Sequence, residues 1–206
     1  MGKYLIITVL LVIITFGIEI AGSILKRSFY NQLIQAIGSN DQKEFERISN
    51  KKIVRFLIPR YDMEYLRLNL ILSNGNKKEI NEQFRNVINS SSNITQKTDI
   101  LMTAFDHYVS NGDKEMSKVY AKEITALNNQ ELSNYVKRLY DIKINRSGKY
   151  LDEILEEIDR EDVRNIWQKE MLVSLIYEHQ GNKQLCEEYK QLSKEHFERE
   201  INLKGG

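Results

Sequence analysis

Regularly spaced glycines constrain the fold of this chain more than any other feature. Between Ser23 and Lys204 the sequence holds only five glycines, each in a short polar cluster and separated by 37, 37, 36 and 33 residues: Gly38, Gly75, Gly112, Gly148 and Gly181. A glycine in a polar cluster between apolar segments is typical of a tight turn between two helices. A repeat of this length is typical of arrays of helix pairs. The spacing therefore predicts about five helix–turn–helix units.

Apolar periodicity on both sides of these glycines supports the same interpretation. Segments such as 63–73 and 98–110 precede a glycine, and the segments that follow show apolar residues at helical spacing, as in Leu151, Ile154, Leu155 and Ile158. No window alternates long enough to predict a strand. The residue four positions before each glycine is large and apolar or aromatic, which predicts a buried contact: Ile34, Ile71, Tyr108, Ile144 and Tyr177. The sequence thus predicts an all-α domain over residues 28–206.

The first unit carries an extra basic and apolar segment that ends at Pro59. Proline disfavours helix at the residue before it, so any helix here should stop at Ile58. We interpret the segment as a short connecting helix whose apolar residues pack on the next unit: Ile53, Val54, Phe56 and Leu57. The alternative is that its basic residues contact anionic lipid headgroups: Lys51, Lys52, Arg55 and Arg60.

An uncharged apolar run opens the chain. Residues 4–18 carry no charge, Glu19 interrupts the run, and apolar residues continue to Leu25. As a helix these residues span roughly 33 Å, which matches the hydrocarbon core of a bilayer. The run predicts that residues 1–27 form a single-pass membrane anchor, inserted through residues 4–25. A cleaved signal peptide, which would leave a secreted helical-repeat protein, is the alternative, and a buried core helix is a weaker one.

The sequence leaves the membrane orientation and the role of Glu19 open. Lys3 lies before the run and Lys26 and Arg27 lie after it, so the distribution of positive charge does not decide the orientation. A very short N-terminal tail usually stays inside, which favours an extracytoplasmic domain. Glu19 is either a functional intramembrane carboxylate or a group that reaches the headgroup boundary.

Composition and motifs exclude several classes of function. The chain has 30 Lys and Arg against 29 Asp and Glu, which argues against nucleic acid as its main partner. One Cys excludes an intramolecular disulfide framework and a multi-cysteine zinc site. The nucleotide-binding, zinc-protease and nucleophile-elbow motifs are absent from the sequence. We therefore predict no catalytic, cofactor-binding or metal-binding residues, no small-molecule substrate and no enzymatic activity.

The remaining residues of chemically reactive types have structural explanations. His107, His179 and His196 are far apart in sequence and are interpreted as surface or turn residues. Cys186 falls on an apolar helix stripe and is interpreted as a buried filler. Seven acidic residues between positions 152 and 162 lie opposite an apolar stripe, which indicates a solvated helix face rather than a cation site or a docking patch.

The helical units resemble the tetratricopeptide repeat family. The resemblance rests on the helix–turn–helix period, the late aromatic residues Tyr108 and Tyr177, and turns of glycine followed by Asp or Asn, such as Gly112-Asp113. It covers residues 28–203. The family's closing proline is missing, since the only proline is Pro59, and the spacing exceeds the family's usual period.

The resemblance implies an α-solenoid whose first helices line a concave face that binds extended peptides or partner helices. The family's groove positions fall here on residues suited to recognition: Tyr65, Asn69, Met102, Asp106, Tyr135, Arg138, Gln168 and Met171. An equal alternative is that many of these side chains simply face solvent. The sequence therefore predicts a membrane-anchored, non-enzymatic scaffold that binds a protein or peptide. A small structural subunit of a larger membrane complex, contacting it through Glu19 and the anchor, is the alternative.

Overall fold

The computed structural model describes the backbone of residues 2–160 and 165–204, and the side chains of residues 19–160 and 165–202. Within these ranges the chain is all-α, as predicted, with eleven helices and no strand: α1 (Gly2–Gly38), α2 (Gln42–Ser49), α3 (Lys52–Leu57), α4 (Arg60–Asn74), α5 (Lys77–Ser90), α6 (Ile94–Ser110), α7 (Lys114–Thr125), α8 (Gln130–Lys143), α9 (Leu151–Ile158), α10 (Ile166–His179) and α11 (Lys183–Lys204).

The N-terminal segment lies in α1. Residues 4–18 of the predicted anchor lie outside the residues whose side chains the structure describes. Among the helical residues that are described, none of the helices combines the length and the apolar character needed to cross a membrane.

Each of the five glycines lies at the junction of two helices, as the spacing predicts. The junctions join α1 to α2, α4 to α5, α6 to α7, α8 to α9 and α10 to α11. Two junctions have the same geometry. Gly112 and Gly181 adopt left-handed conformations, with φ of 68° and 76°. In both turns the next residue, Asp113 or Asn182, donates its N–H to the carbonyl five residues earlier, at 2.8 and 2.9 Å. This arrangement is a Schellman motif.

At the other three junctions, different backbone conformations end one helix and let the next begin. In the first, Gly38 is still helical and Asn40 takes the left-handed conformation with φ of 56°, followed by Asp41 as the N-cap of α2. Gly75 is extended, with φ of −71° and ψ of 149°, and any Cβ there would lie 2.7 Å from the Ile71 carbonyl oxygen. In the fourth junction the left-handed residue is Arg146 rather than Gly148.

The positive φ of Gly112 leads to a testable expectation. Gly112→Ala should lower the free energy of unfolding by about 1–2 kcal/mol, because a Cβ disfavours the left-handed conformation. Gly38→Ala is the matched control: its Cβ meets nothing within 4 Å and the residue is helical, so stability should stay equal or rise slightly. Urea denaturation followed by circular dichroism measures both. Equal destabilisation by both variants would contradict the assigned turn.

The chain divides into two compact units, Met1–Ile100 and Leu101–Gly206, with the boundary inside α6. The first unit packs α1, α2, α3 and α4 around a core that includes Leu33, Phe45, Ile48 and Val54. The second contains a core built from α8, α9 and α10: Ile142, Ile154, Val173 and Ile176. Tyr108 of α6 stacks on Tyr120 of α7, with ring centroids 5.5 Å apart.

Two predictions about burial need correction. The connecting segment forms α3 and stops before Pro59 as predicted, and Val54 is fully buried. Phe56 is 84% exposed and Ile53 is 45% exposed, so the prediction that all four apolar side chains pack on the next helix pair is wrong. The position four residues before the turn is also variable. Tyr108 is buried at this position, whereas Ile34 is 55% exposed, because in α1 the adjacent Leu33 faces the core instead.

Candidate functional site

Three helices of the second unit carry the predicted recognition residues in pairs. Met102 and Asp106 are one helical turn apart on α6, and Tyr135 and Arg138 are three residues apart on α8. Gln168 and Met171 repeat this spacing on α10. Residues three or four apart share a helix face, so each pair presents both side chains in one direction.

The structure brings all six of these residues to one surface. Two adjoining cavities of about 690 and 510 Å³ share Glu131, Tyr135, Arg138 and Gln168 in their linings. Met102 lines the first cavity, and Asp106 and Met171 line the second. We call this surface the α6–α8–α10 groove. The two remaining predicted residues, Tyr65 and Asn69, lie in the first unit on α4 and are exposed.

A charged network fixes Arg138 at the side of the groove. Its Nη1 donates to Oε1 of Glu157 at 2.8 Å and to Oε1 of Glu153 at 3.3 Å. Lys169 approaches the other oxygen of Glu157 at 2.6 Å. Burial alone would raise the pKa of Glu157, but the bonds from Arg138 and Lys169 outweigh it and lower that pKa. The network therefore stays ionised at neutral pH and is lost only when acid protonates Glu157.

Asp106 and Tyr135 give the groove its electrostatic character. Asp106 is exposed, but partial desolvation of its carboxylate raises its pKa, opposed in part by Lys143. Burial also raises the pKa of Tyr135, with a further contribution from Asp106. At neutral pH the Tyr135 hydroxyl therefore keeps its proton. The groove offers a neutral aromatic donor between an acid and a guanidinium.

The acidic residues on and next to α9 only partly match the prediction of a solvated helix face. Asp152, Glu153, Glu156 and Asp159 are exposed, which agrees with a solvated face, whereas Glu157 is the half-buried partner of Arg138. Glu161 and Asp162 lie outside the described residues. The sequence of α9 could not predict that Arg138 pairs with Glu157, because Arg138 lies on α8.

A second groove, of about 870 Å³, lies between α7 and α8 and was not predicted. Its lining includes four lysines, Lys114, Lys118, Lys122 and Lys137. The one acid in the lining, Asp141, already accepts a 2.6 Å bond from Lys149 outside it. The sequence does show three lysines of α7 spaced four residues apart, a pattern that places them on one helix face. The groove therefore favours anionic groups.

The three histidines and the cysteine lie on α6, α10 and α11. Cys186 is buried, as predicted. His107 and His179 are half-buried near helix ends, and burial lowers the pKa of both. His196 differs from the prediction, because its Nδ1 lies 2.9 Å from both oxygens of the buried Glu170. Within the described ranges, no group of three or more His, Cys, Asp or Glu residues is placed to hold a metal ion.

Comparison with known proteins adds no relative to this description. No family model, curated protein or solved structure matches the chain.

Proposed function

We propose that this protein is a membrane-anchored, non-enzymatic scaffold that binds a segment of a partner protein in the α6–α8–α10 groove. The observation that carries the proposal is the convergence of six sequence-predicted recognition residues on one concave surface. The anchor is inferred from the apolar run over residues 4–25. The tetratricopeptide-like interpretation is supported by the helix pairs joined at the five regularly spaced glycines.

The groove has the chemistry of a protein-recognition surface. Tyr135 and Met171 are 37% and 46% exposed, so both offer apolar area to a partner. Aromatic residues, Met and Arg are enriched in protein interfaces, and Arg138 is held in place by its carboxylate partners. Glu131 and Asp106 add acceptors for the backbone or basic side chains of a peptide. An extended segment or a short helix is the occupant that this mixture fits.

The proposal predicts which exposed side chains control partner capture. In the full chain, extracted in mild detergent with a tag after Gly206, the pair Tyr135→Ala and Met171→Glu should lower partner recovery about tenfold or more. Neither side chain belongs to the Arg138 network, so the unfolding midpoint should stay unchanged. The matched control is Val119→Ala with Ile201→Glu, since both positions are exposed and apolar but lie outside the groove. Equal recovery by the two double variants would count against the groove.

A small structural subunit of a membrane complex is the second candidate, suggested by Glu19 within the apolar run. Exchange of residues 1–27 for an unrelated single-span anchor separates the two. A scaffold keeps its partner after this exchange, whereas a subunit that assembles through Glu19 and the anchor loses it.

The secreted alternative and the orientation have their own readouts. Appearance of the chain in the medium at a reduced mass would show that the apolar run is a cleaved signal peptide. Protease treatment of intact cells distinguishes the orientations of an anchored chain. Loss of a C-terminal tag without lysis is the result expected for the extracytoplasmic domain that we favour.

A further inference from the structure

A pocket rich in tyrosine and aspartate lies in the first unit, apart from the groove proposed to bind a partner. Its volume is about 420 Å³, and its lining comes from α1, α4 and α6: Tyr30, Tyr61, Asp62, Tyr65, Leu66 and Asp99. We call it the tyrosine pocket. Tyr65 was predicted as a partner-binding residue, but the sequence did not indicate that two other tyrosines and two carboxylates would join it.

The aromatic rings are held in place by their neighbours. Tyr61 and Tyr65 are one turn apart on α4, with ring centroids 6.2 Å apart and planes inclined at 31°. The Tyr30 hydroxyl donates to Oδ2 of Asp62 at 2.5 Å, and the Tyr61 hydroxyl donates to the Gln96 carbonyl at 3.4 Å. These bonds join α4 to α1 and to α6, so the Tyr30 and Tyr61 rings do not need to be ordered by a ligand.

The side chains that line the pocket carry a net negative charge. Among the described residues, those that line it include two carboxylates and no Lys or Arg. Burial raises the pKa of Tyr61, and the nearby Asp99 and Asp62 raise it further. Burial and the bond to Asp62 raise the pKa of Tyr30 as well. The tyrosines therefore remain neutral, and the negative charge resides on the two aspartates.

A cation already lies at the edge of this pocket. The Lys26 ammonium is 5.8 Å from the centroid of the Tyr30 ring, within the range of a cation–π contact. Lys26 belongs to the same helix as Tyr30 and does not line the pocket. The spacing of four residues on α1 brings Lys26 to this ring, and the contact shows that a face of Tyr30 is accessible to a cation.

We propose that the tyrosine pocket binds a quaternary ammonium group of the choline type. The faces of tyrosine rings attract such a cation through their quadrupoles, and carboxylates nearby add a favourable field. A quaternary ammonium has no N–H, so it needs no acceptor at hydrogen-bond distance. Leu66 provides apolar contact for the methyl groups.

A quaternary ammonium of the choline type can belong to a free small molecule or to the headgroup of a choline lipid. The lipid source rests on the proposed anchor: α1 is continuous through Leu25 and Tyr30, a separation of five residues or about 7.5 Å along the helix axis. If residues 4–25 span the bilayer, Tyr30 lies at headgroup depth. The pocket itself does not depend on the partner-binding groove, so each proposal can fail without the other.

The test compares two ligands of the same shape. The full chain in a choline-free detergent is titrated calorimetrically with choline chloride and with 3,3-dimethyl-1-butanol, in which carbon replaces the charged nitrogen. We expect choline to bind about tenfold more tightly than the neutral isostere. Equal binding of the two would reduce the site to an apolar pocket and overturn the proposal, and so would the absence of choline binding at tens of millimolar ligand.

Substitutions of residues that line the pocket test whether choline binds there. Tyr65→Leu keeps an apolar side chain but removes a ring, and Asp99→Asn removes a charge; each should weaken choline binding about five- to tenfold. Tyr135→Leu is the matched control, because Tyr65 and Tyr135 are both 37% exposed and Tyr135 lies in the other groove. Unchanged binding in the Tyr65 variant, or an equal loss in the Tyr135 variant, would contradict the assignment.

Reconstitution distinguishes the sources. If the heat of choline binding disappears in phosphatidylcholine nanodiscs but persists in phosphatidylglycerol nanodiscs, the pocket takes the lipid headgroup. If it persists in both, the pocket takes a free small molecule.

Discussion

Replacing Phe45 by Ala is expected to lower the free energy of unfolding of the first unit by about 3–5 kcal/mol. Phe45 lies on α2 and is fully buried in a core shared with α1, α3 and α4, and the Arg67 guanidinium lies 5.7 Å from its ring centroid. Truncation removes the transfer energy of the ring and leaves a cavity in a core drawn from four helices. Urea denaturation of the full chain in detergent, followed by circular dichroism, measures the loss.

The chain offers a matched control for Phe45 only eleven residues away. Phe56 lies on α3 and is 84% exposed, so Phe56→Ala should change stability by less than about 0.5 kcal/mol. A small effect of Phe45→Ala, or a large one of Phe56→Ala, would show that α2 and α3 are packed differently from this description.

The second large effect is expected at the pair formed by Glu170 and His196. Glu170 is 2% exposed, and its carboxylate contacts the His196 ring at 2.9 Å across the α10–α11 interface. His196→Leu should therefore lower the stability of the second unit by about 2–4 kcal/mol, because it leaves a buried polar group without its partner. Trp167, the single tryptophan, packs edge-on against Phe197 beside this pair and reports unfolding by its fluorescence.

A double-mutant cycle separates pairing from packing. Glu170→Leu should cost less than His196→Leu, because His196 is 27% exposed and can be solvated when it is left alone. The double Leu variant should recover most of the loss, giving a coupling of about 1–3 kcal/mol. Additive single effects would mean that the two side chains do not interact.

The helix pairs could be predicted from sequence because their signals are local. Turn glycines and apolar periodicity act within a few residues, so each junction was predicted at the right place. The conformation within each turn was harder to predict. Asn40 takes the left-handed position two residues after Gly38, directly before Asp41, whose side chain caps α2. In the fourth junction Arg146 takes it, two residues before Gly148.

The surfaces that depend on several helices were predicted only in part. The pairs on α6, α8 and α10 were predicted from the groove positions of the family that the chain resembles, and a spacing of three or four residues places each pair on one helix face. The tyrosine pocket combines residues from α1, α4 and α6, and Glu170 meets His196 across 26 residues of sequence. Such contacts follow from packing between helices, which periodicity within one helix does not encode.

Site-specific crosslinking tests the central claim, that the α6–α8–α10 groove holds a partner protein, most directly. A photo-reactive amino acid is placed in the full chain in cells at Gln168 or Met171, which line the groove, and at Lys97 or Lys194, which are exposed but do not line it. The account predicts one discrete crosslinked product from both groove positions, none from the other two, and loss of that product in the Tyr135→Ala variant. Crosslinks of equal yield from all four positions, or none from the groove, would contradict it.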